Sequence, residues 1–76
     1  MYIGEWSKGK KHGFGKIFNE KGSVVYIGGF GNDFRDGMGR SYFENGMETY
    51  RGKWVRGKVI EFGVIYNQDG SIQLIA

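Results

Sequence analysis

Two segments of the chain have the glycine and lysine spacing of a phosphate-binding loop, G-x-x-x-x-G-K-[ST]. They run from Gly4 to Lys10 and from Gly52 to Lys58. In such a loop the last hydroxyl holds Mg²⁺, and the following helix points its N-terminus at the phosphate. Lys11 and Val59 stand at the hydroxyl position here, and no helical period follows. Both segments are therefore predicted to be turns between strands, and no nucleotide or other cofactor is expected.

The remaining polar residues are too isolated to predict a catalytic or metal site. His12 is the only histidine and cysteine is absent, so a transition metal would lack ligands and an acid–base catalyst would lack a partner. Asn32, Asp33 and Asp36 offer oxygen ligands, but their spacing does not follow the EF-hand pattern for Ca²⁺. The sequence therefore predicts a protein that is not an enzyme and has no catalytic, cofactor-binding or metal-binding residues.

Basic residues gather at two predicted turns, where they offer one alternative function. They are Lys8, Lys10, Lys11, Arg56 and Lys58. Equivalent turns of a repeat sheet lie along one edge, so these cations could contact anionic lipids or phosphoinositides at a membrane surface. The net charge is +3 for residues 2–25, −2 for 26–49 and +2 for 50–73. Because the acidic middle interrupts the basic surface, nucleic-acid binding is not expected.

Length and composition indicate one small domain. The 76 residues are predicted to form a single domain over residues 1–76. No apolar run approaches the roughly 20 residues that span a bilayer, and no signal-peptide pattern is present. The lack of cysteine fits a reducing compartment, so a cytoplasmic protein, in one version peripheral to a membrane, is expected.

An internal repeat with a period of 24 residues organises the chain. It places repeats at about 2–25, 26–49 and 50–73, followed by a short apolar tail. The aligned structural positions are Tyr2, Gly4, Trp6, Gly13 and Gly15 in the first repeat; Tyr26, Gly28, Phe30, Gly37 and Gly39 in the second; and Tyr50, Gly52, Trp54 and Gly63 in the third. Such a fixed period is typical of repeat architectures.

Each repeat is predicted to be a β-hairpin, giving an all-β antiparallel meander of about six strands. In the first repeat, Tyr2 to Trp6 alternate as one strand, Lys8-Gly9 signal a turn, and a second strand runs from about Lys11 to Phe18. Asn32-Asp33 replace the turn glycine in the second repeat, and both residue types tolerate positive φ. Strand glycines are expected where rings need close approach to backbone.

The pattern Y-x-G-x-W-x-x-G-x-x-H-G-x-G resembles the MORN (membrane occupation and recognition nexus) repeat. The first repeat matches it throughout, whereas the second departs at Phe30, Asp33 and Asp36 and the third at Ile60 and Glu61. The period of 24 is one residue longer than the roughly 23 that is usual in the family, and the extra residue lies between Gly22 and Tyr26. The resemblance implies an elongated, open, groove-shaped sheet that serves in scaffolding, dimerisation or protein contact and is not itself catalytic.

A second aromatic stripe lies opposite the strand glycines and is the candidate partner-binding site. Its members are Phe14, Phe18, Met38, Tyr42, Phe62 and Tyr66. A one-layer sheet cannot cover both of its faces, so this stripe either meets a partner or is buried by curling of the sheet. We therefore expect a protein-binding or scaffold module working through an aromatic face.

The ends of the chain favour association. The first repeat starts at Met1 without a preceding strand, and an open strand edge invites pairing, so a homodimer or a partner that covers the edge is expected. The apolar tail is expected to add a final strand. A short chain with its own methionine and no effector domain is also consistent with a small stand-alone inhibitor from a phage or mobile element.

Overall fold

The protein is a single antiparallel sheet of seven strands arranged in chain order. The structure, a computed structural model, describes residues 1–75, without the side chains of residues 61, 62, 74 and 75. The strands are β1 (Tyr2–Ser7), β2 (Lys10–Phe18), β3 (Val24–Gly31), β4 (Phe34–Tyr42), β5 (Glu48–Val55), β6 (Lys58–Tyr66) and β7 (Ile72–Ile75). The all-β meander predicted from the sequence is confirmed, and the apolar tail supplies the strand beyond the expected six. No helix that could span a bilayer occurs within the described residues.

Three tight turns, at residues 8–9, 32–33 and 56–57, connect the two strands of each repeat at one end of the sheet, here called the tight-turn end. Both central residues of each turn have positive φ, as a type I′ hairpin turn requires. The φ values are 52° and 78° at Lys8 and Gly9, 49° and 72° at Asn32 and Asp33, and 47° and 82° at Arg56 and Gly57. The turn predicted at Asn32-Asp33 without glycine is therefore confirmed.

The register of the strands places six glycines side by side across β1 to β6. Neighbouring glycines pair in the order Gly4, Gly15, Gly28, Gly39, Gly52 and Gly63. Tyrosine rings occupy the space that these glycines leave: a methyl group added at Gly39 would stand 2.5 Å from Cζ of Tyr26, and one at Gly63 would stand 2.7 Å from Cε1 of Tyr50. The predicted packing of rings on bare backbone is confirmed at these positions.

Two repeat glycines serve a different purpose from the one expected. Gly13 and Gly37 have φ of 69° and 89°, a region that favours glycine. A methyl group at Gly13 would meet the Glu5 side chain, and one at Gly37 would meet no atom within 4 Å. These residues lie where β1–β2 and β3–β4 shift register. Their role is therefore to let the strand bulge, and no aromatic ring requires them.

The rings themselves form a continuous row, of which Tyr26, Phe30, Tyr50 and Trp54 are the buried core and Trp6 is an exposed end. In spatial order they are Trp6, Tyr2, Phe30, Tyr26, Trp54 and Tyr50. Each meets the next edge to face, with centroids 5.0–5.6 Å apart and planes inclined by 80–87°. Tyr2 and Tyr26 thus each link the ring of their own repeat to the ring of the following repeat. Each ring contact adds about 0.5–1.5 kcal/mol beyond its buried area.

Cations and backbone acceptors complete this core. The Arg35 guanidinium lies 5.0 Å from the Tyr26 ring centroid and 5.1 Å from that of Trp54. The Tyr26 hydroxyl donates to the Gly29 carbonyl over 2.9 Å, so the most buried ring has its polar atom satisfied. Burial raises the pKa of Tyr26 to about 12, against an opposing effect of Arg35.

The substitution Gly39→Ala is expected to reduce the free energy of unfolding by about 1–3 kcal/mol, because the Tyr26 ring must shift. Urea denaturation of the two proteins measures this. Gly31→Ala is the matched control, since its added methyl group would meet the Asp36 Oδ2 atom at 3.2 Å and that side chain can move. A loss at Gly31 as large as that at Gly39 would contradict the ring-on-glycine packing.

Tyr26 also predicts a specific loss of stability at high pH. Its pKa of about 12 in the fold lies above the ordinary value of 10.0, so between these values the unfolded chain loses the proton first. The contribution of Tyr26 to the free energy of unfolding is therefore complete below pH 10 and disappears as the pH rises to about 12. Tyr26→Phe should remove this part of the alkaline destabilisation, about 1–2 kcal/mol. Urea denaturation of both proteins at neutral and alkaline pH measures it, and parallel pH curves would contradict the assignment.

Candidate functional site

The face of the sheet opposite the rings is the candidate site, and we call it the outer face. Strand alternation places the predicted partner-binding stripe there. Phe14 and Met38 are 56% and 66% exposed, whereas Phe18, Tyr42 and Tyr66 are partly buried. The Phe62 side chain lies outside the described part of the chain. The most accessible described members of the predicted stripe are therefore Phe14 and Met38.

A row of side chains crosses the outer face alongside these anchors. Its members pair strand by strand in the order Ile3, Lys16, Ile27, Arg40, Arg51 and Val64. Sequence reasoning named none of these six as site residues. The signal was present for Lys16 and Arg40, because each lies two positions after Phe14 or Met38 and therefore shares its face. The outer face is consequently both apolar and basic, and not purely aromatic.

Two neighbouring depressions give the outer face its shape. The first, of about 400 Å³, is lined by Phe14, Ile27, Gly28, Met38, Gly39, Arg40 and Arg51. The second, of about 380 Å³, is lined by Ser23, Val24, Ile27, Tyr42, Glu44, Asn45 and Gly46. Ile27 belongs to both, so the apolar surface continues from Phe14 to Tyr42. The glycine row also shapes this face, because Gly28 and Gly39 form part of the floor of the first depression.

Arg40 and Arg51 stand directly opposite each other on β4 and β5 and share one carboxylate. Glu48 accepts hydrogen bonds from Arg51 Nη2 at 2.7 Å and from Arg51 Nε at 3.2 Å. Its Oε1 atom lies 3.8 Å from Arg40 Nη1, which is beyond hydrogen-bond distance. The bond to Glu48 raises the pKa of Arg51 above its usual value. Arg40 is thus the less neutralised member of the pair.

The basic residues proposed for lipid contact do not form a single cluster. Lys8, Lys10, Arg56 and Lys58 are exposed at the tight-turn end. Lys11 is partly buried on the ring face, where its Nζ atom lies 5.5 Å from the Tyr2 centroid and 6.0 Å from that of Trp6. The set therefore divides into four exposed cations and one that packs against the core.

The acidic residues of the second repeat connect neighbouring repeats. Asp33 Oδ1 accepts the Lys11 backbone N–H over 2.7 Å, while the Asp33 N–H donates to the Lys11 carbonyl over 3.1 Å. The equivalent backbone bond of the third repeat runs from the Gly57 N–H to the Arg35 carbonyl over 2.8 Å. Within the described residues, no group of three or more His, Cys, Asp or Glu could hold a metal ion.

Comparison with known proteins assigns the repeat. A family profile for the MORN repeat matches residues 2–24 and 26–48. The chain belongs to the MORN-repeat family. Proteins of this family use their repeats as non-enzymatic modules for protein or membrane interaction. The third repeat lies outside the two matched segments, although its β5–β6 hairpin reproduces the tight turn, the paired glycines and the ring contacts. No curated protein matches the chain.

The extra residue of each MORN repeat has a structural explanation. The two matches leave Val25 between them. In the pairing of β2 with β3, Ile17 faces Tyr26 and Phe18 faces Val24, so Val25 has no opposite residue and forms a bulge. Thr49 is the equivalent bulge residue where β4 pairs with β5, because Ser41 faces Tyr50 and Tyr42 faces Glu48. A single inserted residue is therefore absorbed without moving the ring positions out of register.

Glu48→Gln should lower the free energy of unfolding by about 0.5 kcal/mol at low salt, because two like charges then face each other across the strands. The difference should shrink at high salt. Thermal or urea unfolding at two ionic strengths measures both effects. Glu44→Gln is the matched control, since its ion pair with Lys21 is largely exposed. Equal effects of the two substitutions, or no salt dependence, would contradict a role for Glu48 between the arginines.

Proposed function

We propose that this MORN protein is a non-catalytic binding module that docks a protein partner on its outer face. The observation that carries the proposal is the contrast between the two faces of one sheet. On one face Tyr26, Phe30, Tyr50 and Trp54 are buried against each other, and the exposed ring Trp6 lies at the end of their row. On the other face Phe14 of β2 and Met38 of β4 remain exposed. Exposed apolar groups of this kind are typical of interaction surfaces. A scaffold and a stand-alone inhibitor would both use such a surface in the same way.

Docking would be driven by burial of the apolar side chains. Covering one side chain of the size of phenylalanine or methionine is worth about 1.5–3 kcal/mol before the costs of association. The depression between Phe14 and Met38 offers space for an apolar side chain of the partner, with Ile27 beneath it. The surrounding charged groups would then set the orientation of the partner.

A membrane-surface role is the second candidate, supported by the exposure of Lys8, Lys10, Arg56 and Lys58 at the tight-turn end. It predicts binding to vesicles that contain phosphatidylserine or phosphoinositides, with loss of binding at high salt. Flotation of the wild type beside a variant with these four residues changed to Gln tests it. Binding that persists in the variant would remove these cations from the proposal.

Site-specific photocrosslinking in cells distinguishes the outer face from other exposed positions. A photoreactive phenylalanine at position 14 or 38 should capture the same polypeptide, because both positions line one depression. The matched control is position 34, where the natural phenylalanine is 51% exposed but does not line that depression.

Capture of one protein from positions 14 and 38, and not from 34, would support the proposed function. Two further variants strengthen the test: the label at position 14 with Met38→Ser, and the label at position 38 with Phe14→Ser. Loss of capture in both, with a fold that circular dichroism shows to be unchanged, would support the proposed function further. Equal capture from position 34 would contradict it. If the captured polypeptide has the mass of the chain itself, the outer face is a self-association surface.

A further inference from the structure

The outer face also carries information about the chemistry of its partner. Building on the proposed function, we infer that the docked segment is acidic as well as apolar, with a carboxylate bound by Arg40 and Arg51 beside the Phe14–Met38 depression. The partner class is thus an anionic protein segment in which acidic and apolar side chains alternate along one side.

The arginine pair is the first step of this inference. Paired residues on neighbouring strands lie roughly 5 Å apart, and like charges in such a pair are unfavourable. Arg40 and Arg51 occupy such a pair, and Glu48 makes hydrogen bonds with Arg51 but stands 3.8 Å from Arg40. A second carboxylate, supplied by a partner, would bind the Arg40 guanidinium and relieve the repulsion.

The arginine pair results from a departure from the repeat pattern. In the outer-face row the first repeat supplies Ile3 then Lys16, and the second supplies Ile27 then Arg40. The third repeat reverses this order and supplies Arg51 then Val64. Nothing on the ring face requires the reversal, since the Tyr50–Trp54 contact repeats the geometry of Tyr26–Phe30. The pair therefore belongs to the surface chemistry of this chain and not to the packing of its core.

The surroundings of the pair favour a protein partner. Both arginines line the same depression as Phe14, Ile27 and Met38 and are 51% and 48% exposed. The docked segment itself would therefore exclude water from a bound carboxylate and strengthen its contact with the arginines. Across the strands, the order Lys16, Ile27, Arg40 alternates cation, apolar residue and cation. An extended segment matches this order when the side chains on its sheet-facing side, which are every second residue, alternate between acidic and apolar.

Nucleic acid matches the same surface less well. A phosphate backbone is normally followed by a continuous basic surface. Here the Glu48 carboxylate sits between the two arginines, and Glu44 lines the adjoining depression. The cations are therefore interrupted on the side toward the turn between β4 and β5. The apolar groups between the cations would gain little from a row of phosphates.

The test is a titration of isotope-labelled protein, followed by NMR, with three soluble peptides in which every second residue alternates between Leu and Glu, Leu and Ser, or Leu and Lys, and Thr fills the positions between. The Leu–Glu peptide should shift the amide signals of Gly28, Gly39, Arg40 and Arg51 and bind at least about tenfold more tightly than the other two. A single-stranded oligothymidylate and phosphatidylserine vesicles are titrated in parallel.

Three variants separate a binding role from a structural one. Arg40→Gln should weaken Leu–Glu peptide binding about tenfold, through loss of one charge-assisted hydrogen bond. Glu48→Gln should strengthen it severalfold, because Glu48 competes with the peptide for Arg51. A merely structural Glu48 would have the opposite effect. Lys58→Gln, which removes one cation at the tight-turn end, is the matched control and should leave the affinity unchanged.

The inference is overturned if the Leu–Glu peptide leaves the outer-face signals unmoved, if Lys58→Gln weakens it as much as Arg40→Gln, or if the oligothymidylate or the vesicles bind this face more tightly. Failure of the inference and failure of the proposed function remain distinguishable. Equal binding of the Leu–Ser and Leu–Glu peptides at Phe14 and Met38 would overturn the acidic partner and retain the docking face. Loss of the crosslinking pattern would remove the docking face itself.

Discussion

The contact between a tyrosine ring and bare glycine backbone is the interaction on which the rest of this structure depends. A one-layer sheet has no second layer to cover it, so its core must be made from side chains that lie flat on the strands. Tyr26 does this over Gly39 and Tyr50 does it over Gly63. Any side chain at these glycines would lift the ring and open the row of edge-to-face contacts. The same rings join neighbouring repeats, so packing within one repeat and cohesion between repeats are one interaction.

Much of this arrangement could be predicted from the sequence because it depends on local spacing. A period of 24 and alternation within each strand are sufficient to place Tyr2, Gly4 and Trp6 on one face and to locate the turn at Lys8-Gly9. The turn at Asn32-Asp33 was predictable for the same reason, since a positive φ is a property of the residue type. These features require no knowledge of which residues meet across strands.

The roles of Val25, Lys11 and Asp33 escaped sequence reasoning because they depend on cross-strand register. Val25 shifts the pairing of β2 with β3 by one residue, and only that shift establishes which side chains face each other. Lys11 looked like a turn cation, but pairing with Trp6 places it on the ring face. Asp33 was expected to be a turn residue, and the structure shows in addition that its carboxylate accepts a backbone N–H of the preceding hairpin. In each case the residue type indicated the chemistry of the side chain, but the spacing alone did not show which residue it contacts across the strands.

The two faces of the sheet have different sequence requirements. The ring face must keep glycine, tyrosine and a large ring at fixed places, since its packing repeats in all three units. The outer face has no such requirement, and it differs from repeat to repeat: the third repeat places Arg51 where the second has Ile27. That one difference brings two guanidinium groups together without changing the core. The charge and shape of the outer face can therefore change from repeat to repeat, while the tyrosine–glycine contacts preserve the fold.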